Sequence, residues 1–399
     1  MSGKGAAYRV LIIVENLPVP LDRRVWQEAC ALRDAGHEVT VICPRMRGYT
    51  TPVEVLDGIT IHRHWIMMEA NGIAGFIGEY ASALWGEARC SLAVWRRQKF
   101  DVIHLCNPPD LLILVALPFK LLAGVRVIYD VHDLWPEMFE VKFGRRGLLY
   151  WFVRLAERTT LWLADAVIAT NESVSEVVKR RGKKKDGEVF VVRTAPHRLD
   201  TAVPPEPPLK NGRRYLVGYI GVMGAADGVD YLLRAAHYVV NELGRSDVQF
   251  LLMGSGPQYE TLLRQRDALG VQEFVAMPGR VSNEFLFSAL QTMDLGVACD
   301  PINDFNDYCT MNKTLEYMAF GKAQVMFGTR EGRVSAGDAA RYVMENSAER
   351  LGDAIIELLD DEALRTRMGQ IGQSRLATEL SWEKSVEQLK KTYRGAVGH

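Results

Sequence analysis

No C-x-x-C pair and no cysteine grouping at metal-ligand spacing occurs in this chain: Cys30, Cys43, Cys90, Cys106, Cys299 and Cys309 stand singly, most of them inside apolar runs. A disulfide framework and a zinc-organised fold are thereby excluded, and scattered thiols of this kind suit a reducing compartment. An excess of charge is missing too, with 48 Lys plus Arg against 49 Asp plus Glu, so no broad basic field makes nucleic acid the default partner. Long apolar runs are absent. The longest, Leu111 to Gly124, contains Lys120 and falls short of the roughly 20 residues that a spanning helix requires; it reads as a buried packing helix. The opening MSGKGAAYRVLIIVEN is too short in its apolar part for a signal-peptide core and runs straight into a strand, so the expected location is cytoplasmic.

What is present is a repeated strand and helix grammar. From Tyr8 the strand RVLIIVEN is followed by an amphipathic segment from Arg23 to Ala35, a stop at Gly36 and the strand HEVTVICP, a βαβ unit. Strands follow at ITIHRH, DVIHLCN, RVIYDVHD, DAVIATN and VFVVRTA. The pattern then breaks at TAVPPEPPLKNGRR, whose prolines suit a semi-rigid connector. It restarts with YLVGYIG, a helix from Asp230 to Leu243, VQFLLMGSG, EFVAMPG, DLGVACD, a helix from Asn312 to Phe320 and AQVMFGT. For 399 residues this predicts an α/β protein of two doubly wound, Rossmann-like domains, 1–196 and 214–380, joined by a linker at 197–213. Open parallel sheets bind ligands at the carboxyl ends of their strands, so the domains are expected to face each other across a cleft that holds the site.

The most informative stretch is DPINDFNDYCTMNKTLEYMAFGK, Asp300 to Lys322, where a polar loop after a strand enters a helix near Asn312. Free amides at a helix start cradle phosphate, and Lys313 in the first turn adds a full charge there. Glu316, one turn on, is placed to accept two ribose hydroxyls. A capped surface helix carries the same pattern. The loop TREGRVSAGD supplies Arg330, Glu331 and Arg333, and the guanidinium of Arg333 can fork onto phosphate oxygens.

In the first half, RVIYDVHD ends in His132 and Asp133, with Glu137 just beyond; a histidine at a strand's end can donate to a sugar hydroxyl, with a neighbouring carboxylate setting its tautomer. Asp22, Arg23 and Arg24 form a second polar cluster there, or else begin a solvated helix. Gly221, Gly224 and Gly254 mark tight turns near the expected cleft. His62 and His64 share a strand face without a third ligand, and no D-x-D pair is present to hold a cation against a diphosphate, so neither a metal nor a resident cofactor is expected. The basic run Lys179 to Lys185, Arg145-Arg146, and Trp85, Leu92 and Trp95 would together suit an anionic bilayer; solvated loops and core aromatics are the plainer alternative.

The segments DRRVWQEACALRDAGHEVTVICP, NPPDLLIL, DVHDLWPEMFEVKFGRRG, GVMGAADGVDYLLRAA, TMNKTLEYMAFGK and EGRVSAGDAARYV resemble those of retaining glycosyltransferases of the GT-B architecture, family 4 (glycosyl transferases group 1). The resemblance spans nearly the whole chain and points to the bacterial branch that includes the L-fucosamine transferases of surface polysaccharide assembly. It implies an acceptor-binding N-terminal domain, a nucleotide-sugar-binding C-terminal domain, closure over the donor, and a last helix at 381–399 that returns to the N-terminal domain. By the same resemblance Glu316 takes the ribose, His132 lies by the donor sugar, and the amides of Thr310, Met311 and Asn312 face the diphosphate. Val222 and Asp227 replace a diphosphate-binding Arg and Lys, Tyr308 replaces a first Glu for which Asp307 or Asn306 would substitute, and Ala323-Gln324 stands where Pro-Val is usual. The neutralising role would pass to Lys313 and Arg333. The expected function is metal-independent, retaining transfer from a nucleotide diphosphate sugar, with UDP as the nucleotide, to a glycan or lipid-linked acceptor in polysaccharide biosynthesis, with peripheral contact at the inner face of the membrane. A nucleotide-sugar 2-epimerase and a catalytically silent nucleotide-sugar-binding subunit are the alternatives.

Overall fold

The computed structural model describes residues 7–67, 73–143, 146–196 and 201–398. It divides into two compact units, Met1–Thr194 with Glu383–His399, and Ala195–Trp382. The proline-rich stretch lies in the second unit, where Pro207–Lys210 forms a short helical turn; residues 197–200 are outside the described ones.

The described residues of the first unit form an eight-stranded sheet from β1 (Arg9–Val14), β2 (Glu38–Pro44), β3 (Val53–Leu56), β4 (Ile59–His64), β5 (Val102–Cys106), β6 (Arg126–Val131), β7 (Ala166–Ala169) and β8 (Val189–Val191) in the order β3-β4-β2-β1-β5-β6-β7-β8. Every pairing is parallel except β3 with β4. The runs LIIV, VIHLC and AVIA are buried along their whole length, as strands covered on both faces must be. The helices are α1 (Arg23–Asp34), α2 (Ile73–Arg97), α3 (Ile113–Ala123), α4 (Trp135–Phe143), α5 (Leu148–Leu163) and α6 (Glu172–Gly182). The crossover from β1 to β2 runs one way along the sheet, and those from β4 to β5 and on to β8 run the other. Right-handed crossovers therefore put α1 on one face and α2, α3, α5 and α6 on the opposite one. Leu389, Tyr393 and Ala396 of the last helix pack into the same core as Val25, Ala29 and Leu32 of α1.

The second unit carries β9 (Tyr215–Ile220), β10 (Val248–Met253), β11 (Val275–Gly279), β12 (Leu295–Ala298), β13 (Gln324–Phe327) and β14 (Ala340–Val343), all parallel, in the order β11-β10-β9-β12-β13-β14. Its helices are α7 (Val229–His237), α8 (Tyr259–Ala268), α9 (Asn283–Thr292), α10 (Asn312–Ala319), α11 (Arg330–Ala336), α12 (Ala348–Asp360) and α13 (Glu362–Thr378), and α14 (Trp382–Val397) follows. The strand order reverses between β1 and β5 in the first sheet and between β9 and β12 in the second. Such reversals leave a crevice beyond the strand ends, so the loops after these strands are where each unit can take a ligand.

Two expectations need correction. Leu111 to Gly124 is not a buried helix: Leu114, Leu121 and Leu122 of α3 are exposed, because α3 lies in the outer layer and buries only one side. The stretch from Arg330 to Ala336 is helix α11 rather than a loop, and its arginines come from a helix surface.

Candidate functional site

In the first unit the strand alternation of β6 sends Asp130 inward and returns to the same side at His132. Asp130 is fully buried. Its carboxylate accepts from Arg24 Nε at 3.0 Å and Nη2 at 2.7 Å, and its Oδ2 lies 2.6 Å from His132 Nε2. Arg24, from α1, also donates to the Val192 carbonyl at 2.7 Å and Thr194 Oγ1 at 3.2 Å and pairs with Glu28 at 3.1 Å. His104 completes the network, with Nε2 3.6 Å from Glu28 and 3.7 Å from Asp130 and Nδ1 2.9 Å from the Tyr393 hydroxyl of α14. Burial alone would raise the pKa of Asp130, but Arg24, His132 and His104 hold it well below the usual carboxylate range. Burial works against protonation of His132, and Asp130 outweighs it, so the imidazole pKa is raised.

The backbone of His132 is fixed as well. Its N–H donates to Asn107 Oδ1 at 2.7 Å, and Asn107 Nδ2 donates to the Asp133 carbonyl at 2.8 Å and to Asp110 at 2.9 Å. His132 is 14% exposed, and with Nε2 engaged its Nδ1 has no hydrogen-bond partner among the described residues. The arrangement is an oriented imidazole, its protonation favoured by Asp130, presenting one nitrogen at a strand's end.

The carboxylate that orients His132 is thus Asp130, not the adjacent Asp133, whose side chain is partly exposed and whose pKa is raised by burial against the pull of His132 and Arg24. The cluster expected of Asp22, Arg23 and Arg24 is split: Asp22 caps α1 by accepting from Val25 N–H at 3.1 Å, Arg23 is exposed, and Arg24 is inside the network. Glu137 is held by Arg181, which also donates to Glu157 at 2.8 Å. His104, Cys106 and Asp130 bring ligand-type atoms within 4.8 Å of one another. Both Asp130 oxygens are taken by Arg24, however, and burial pushes the Cys106 thiol well up, so these groups as placed serve ion pairing rather than coordination. A second acidic group lies at the end of β1, where burial and then Glu79 push Glu15 up to about 8. Burial and then Glu15 likewise raise Glu87 on α2, and neither of its oxygens has a hydrogen-bond partner.

In the second unit the loops after β9, β10 and β12 converge. Gly254 has φ 146°, and a Cβ there would lie 1.8 Å from the Gly221 carbonyl oxygen. Only glycine admits that approach of backbone to backbone. Gly224 N–H donates to Asp227 at 2.9 Å, and Asn306, expected to stand in for a missing carboxylate, is buried and donates to the Ala226 and Pro301 carbonyls at 3.0 and 2.9 Å. Lys313, in the first turn of α10, passes beneath Gly221, its Cε 3.2 Å from where a Cβ would stand.

Lys313 does not offer an uncompensated charge, which corrects the expectation for it. Its Nζ lies 2.7 and 2.9 Å from the two oxygens of Asp300, and the pair is buried. Burial alone would lower its pKa; Asp300 reverses the direction. Asp227 is close enough for Lys313 to offset part of the upward push that burial gives its carboxyl. Glu331 is fully buried and accepts from Ser335 Oγ at 2.9 Å, so it faces the interior rather than a ligand. Asp307 accepts from Arg330 N–H at 2.9 Å and ties the loop to α11. Arg333 is exposed. Thr310 and Met311 lead into α10 without a side-chain cap, Asn312 is exposed, and Glu316 is half-buried one turn further on.

Sequence reasoning missed Asp130, Glu28, His104, Tyr393 and Asp300. For Asp130 a signal existed, since residues two apart in a strand share a face. Of the bilayer candidates, Trp95 is packed against Phe100 and Phe119, Arg145 lies outside the described residues, and in the run from Lys179 three side chains are engaged: Lys179 pairs with Asp186 at 2.7 Å, Arg181 with Glu157 at 2.8 Å, and Lys184 donates to the Ala164 carbonyl at 2.6 Å.

Residues 21–194 match the family described as Glycosyl transferase 4-like domain, and residues 214–361 match Glycosyl transferases group 1. The chain is 28% identical over 185 residues to an alpha-D-kanosaminyltransferase of Streptomyces kanamyceticus. It is 32% identical over 168 residues to a GDP-mannose-dependent monoacylated alpha-(1-6)-phosphatidylinositol monomannoside mannosyltransferase of Corynebacterium glutamicum. These matches take in 45% and 41% of this chain and span less than half of the relatives' own length, 46% and 42%. Among solved structures, sucrose-phosphate synthase from Thermosynechococcus elongatus superposes with a TM-score of 0.76 at 18% identity, covering 97% of this chain and 98% of that one. The Anabaena protein HepE, in complex with UDP and glucose, gives 0.71 at 15% identity over 97% and 99%. At these identities the structural likeness establishes the fold.

Proposed function

We propose, from the premise that this chain belongs to the GT-B glycosyltransferases, that it transfers a sugar from a nucleotide diphosphate donor, with UDP as the nucleotide, to a glycan or lipid-linked acceptor in polysaccharide synthesis. The observation that carries the reading is the His132 imidazole, oriented by buried Asp130, which favours its protonation, and presenting Nδ1 at the end of β6. A cationic N–H so fixed donates to a hydroxyl of the donor sugar and stabilises the charge that develops as the glycosidic bond to the diphosphate breaks. In this reading the bond from the anomeric carbon to the diphosphate breaks through an oxocarbenium-like transition state, without a covalent nucleophile and without a metal. Retention requires the acceptor hydroxyl to bond to that carbon on the face the diphosphate leaves, its proton passing to the departing phosphate oxygen. The second unit takes the nucleotide, with Glu316 on the ribose hydroxyls, the amides of Thr310, Met311 and Asn312 and the Gly221 to Gly224 loop against the diphosphate, and Arg333 supplying charge that Lys313, already paired, does not.

The test is a thermal-shift screen of the full chain against nucleoside diphosphates and their sugars, since a ligand that binds only the folded state raises apparent stability. It is followed by product analysis with the best donor, with and without chelator. Uridine diphosphate is expected to give the largest shift, Arg333→Ala to reduce it, and His132→Ala to depress turnover by roughly 10²-fold or more while leaving the shift in place. Full turnover by His132→Ala would remove the basis of the reading, and loss of turnover with chelator would end its metal-independent part.

A further inference from the structure

The outer surface of the first unit's helical layer carries large apolar side chains turned to solvent. On α5, Leu148, Trp151, Phe152, Leu155 and Trp162 are 92%, 62%, 50%, 62% and 73% exposed. Their spacing places them in one stripe along the helix. The opposite side of α5, with Tyr150, Val153, Ala156 and Leu161, is buried. A helix apolar on both sides ordinarily lies wholly inside a protein or against lipid. The neighbouring helices continue the surface: α3 exposes Leu114, Leu121 and Leu122, and α2 exposes Trp85 and Leu92. These helices share one face of the sheet, α2 packing on α3 and α5 on the turn at Asp110–Leu112 that opens α3.

On α2, α3 and α5 the exposed charges have one sign; exposed Glu172 and Glu176 belong to the neighbouring α6. The acidic residues of α2, α3 and α5 are Glu79, Glu87 and Glu157; the last two are buried and Glu79 is half-buried. Arg89, Arg96 and Arg97 on α2 and Arg158 on α5 are exposed. We propose that this face docks on an anionic lipid bilayer, with the tryptophans, Phe152 and the leucines entering the boundary between headgroups and acyl chains and the arginines meeting anionic headgroups. Tryptophan favours that depth. No described helix is long and apolar enough to cross a membrane, so the contact lies along the surface. Charge complementarity selects lipid over a second copy of the chain: a two-fold contact through this face would set its arginine-bearing rim against itself, with no exposed acid on these helices to offset it. The surface differs from the run Lys179 to Lys185, in which Lys179, Arg181 and Lys184 are occupied within the protein.

The test is co-sedimentation of the full chain with phosphatidylcholine vesicles with and without phosphatidylglycerol, at low and high salt, together with sedimentation velocity without lipid. The unmodified protein is expected to bind the anionic vesicles and to be released by salt. The Trp151→Ser, Phe152→Ser, Trp162→Ser triple variant should bind roughly tenfold more weakly or less, with an unchanged circular dichroism spectrum, because the replaced side chains are exposed. Lys183→Ser with Lys185→Ser should bind nearly as the unmodified chain does. Failure of the unmodified chain to bind, or equal binding by the triple variant, overturns the proposal. So does a lipid-free dimer that the triple variant dissociates, which would assign the face to self-association. Vesicle binding is read without turnover, so this result stands apart from the transfer chemistry.

Discussion

Replacing Asp130 with Asn perturbs one atom type at the centre of the first unit and has two separable consequences. The carboxylate is buried and meets three donors, Arg24 Nε at 3.0 Å, Arg24 Nη2 at 2.7 Å and His132 Nε2 at 2.6 Å. An amide of the same shape keeps one accepting oxygen and turns an NH2 toward at least one donor. Stranding a buried charge in this way costs about 3–5 kcal/mol. Arg24 retains Glu28 at 3.1 Å and the Val192 carbonyl at 2.7 Å, which places the expected loss at the low end, about 3 kcal/mol. For a unit of this size that lowers its melting temperature by roughly 6–12 °C, and it should be followed as a separate transition, because two units need not unfold together.

The second consequence is a change of pH dependence. The raised pKa of His132 rests chiefly on Asp130, with burial and Arg24 pulling the other way; in the variant only the depressing influences stay strong. In the unmodified protein the stabilisation from His132 is complete below its unfolded pKa of about 6.5 and is lost as pH rises through the higher folded value. That from Asp130 is present above about 3.9 and is lost as pH falls through its depressed folded value. The stability gap between the two proteins should therefore be widest at mildly acidic pH and narrow on the alkaline side. If protonated His132 assists transfer, the alkaline limb of the rate profile moves to lower pH in Asp130→Asn. A variant as stable as its parent near pH 6, with the same alkaline limb, would refute the assignment of Asp130 as the group that charges His132.

Gly254→Ala should lose more than about 2 kcal/mol by thermal melting, because the new Cβ would lie 1.8 Å from the Gly221 carbonyl oxygen at a φ of 146°; a neutral effect would mean that the loops do not meet. Lys313→Met leaves Asp300 buried without its partner and should cost about 3 kcal/mol, most of it recovered on adding Asp300→Leu. A double-mutant cycle in chemical denaturation with no coupling would dismiss the pair. Glu87→Gln should be more stable than the parent at alkaline pH and equal to it near the unfolded glutamate pKa of about 4.3. Burial and Glu15 raise the folded value, so the folded state holds its proton longer, and the parent alone loses stability as pH rises between the two values. Indistinguishable pH profiles would show that Glu87 is not desolvated.

The sheets were legible because their strands are short apolar runs between turn residues, as RVLIIV becoming β1 and YLVGYI becoming β9 illustrate. Helix α3 was misjudged because an all-apolar stretch carries no periodicity to say which side faces the sheet. His132 was legible by its place at a strand's end; the neighbouring carboxylate expected to set its tautomer was left unnamed, although Asp130, two positions back, shares its face. Arg24 could not be read correctly from local pattern. An arginine beside Arg23 at a helix start looks solvated, and the carboxylate that buries it lies 106 positions away. Lys313 posed the same difficulty over 13 positions: a cation at a helix start suggests an anion to come, and here the anion is Asp300.

The two units place comparable devices at comparable points. Arg24 and Asp130 lie beside the reversal of strand order in the first sheet, and Lys313 and Asp300 beside that in the second. A well-packed apolar replacement of a buried ion pair is often as stable as the pair or more so, so stability alone gives little reason for charges at either point. Each pair instead fixes a group at the strand ends: Asp130 orients the imidazole of His132, and Asp300 holds the Lys313 ammonium beneath Gly221 before any anion arrives. A preset geometry avoids the reorganisation that a mobile side chain would need during reaction. For Lys313 the same pairing cancels its charge. In the proposed function a diphosphate there would draw on the exposed Arg333 and on backbone amides. On that reasoning, the charge that sequence assigned to Lys313 functions in position rather than in neutralisation.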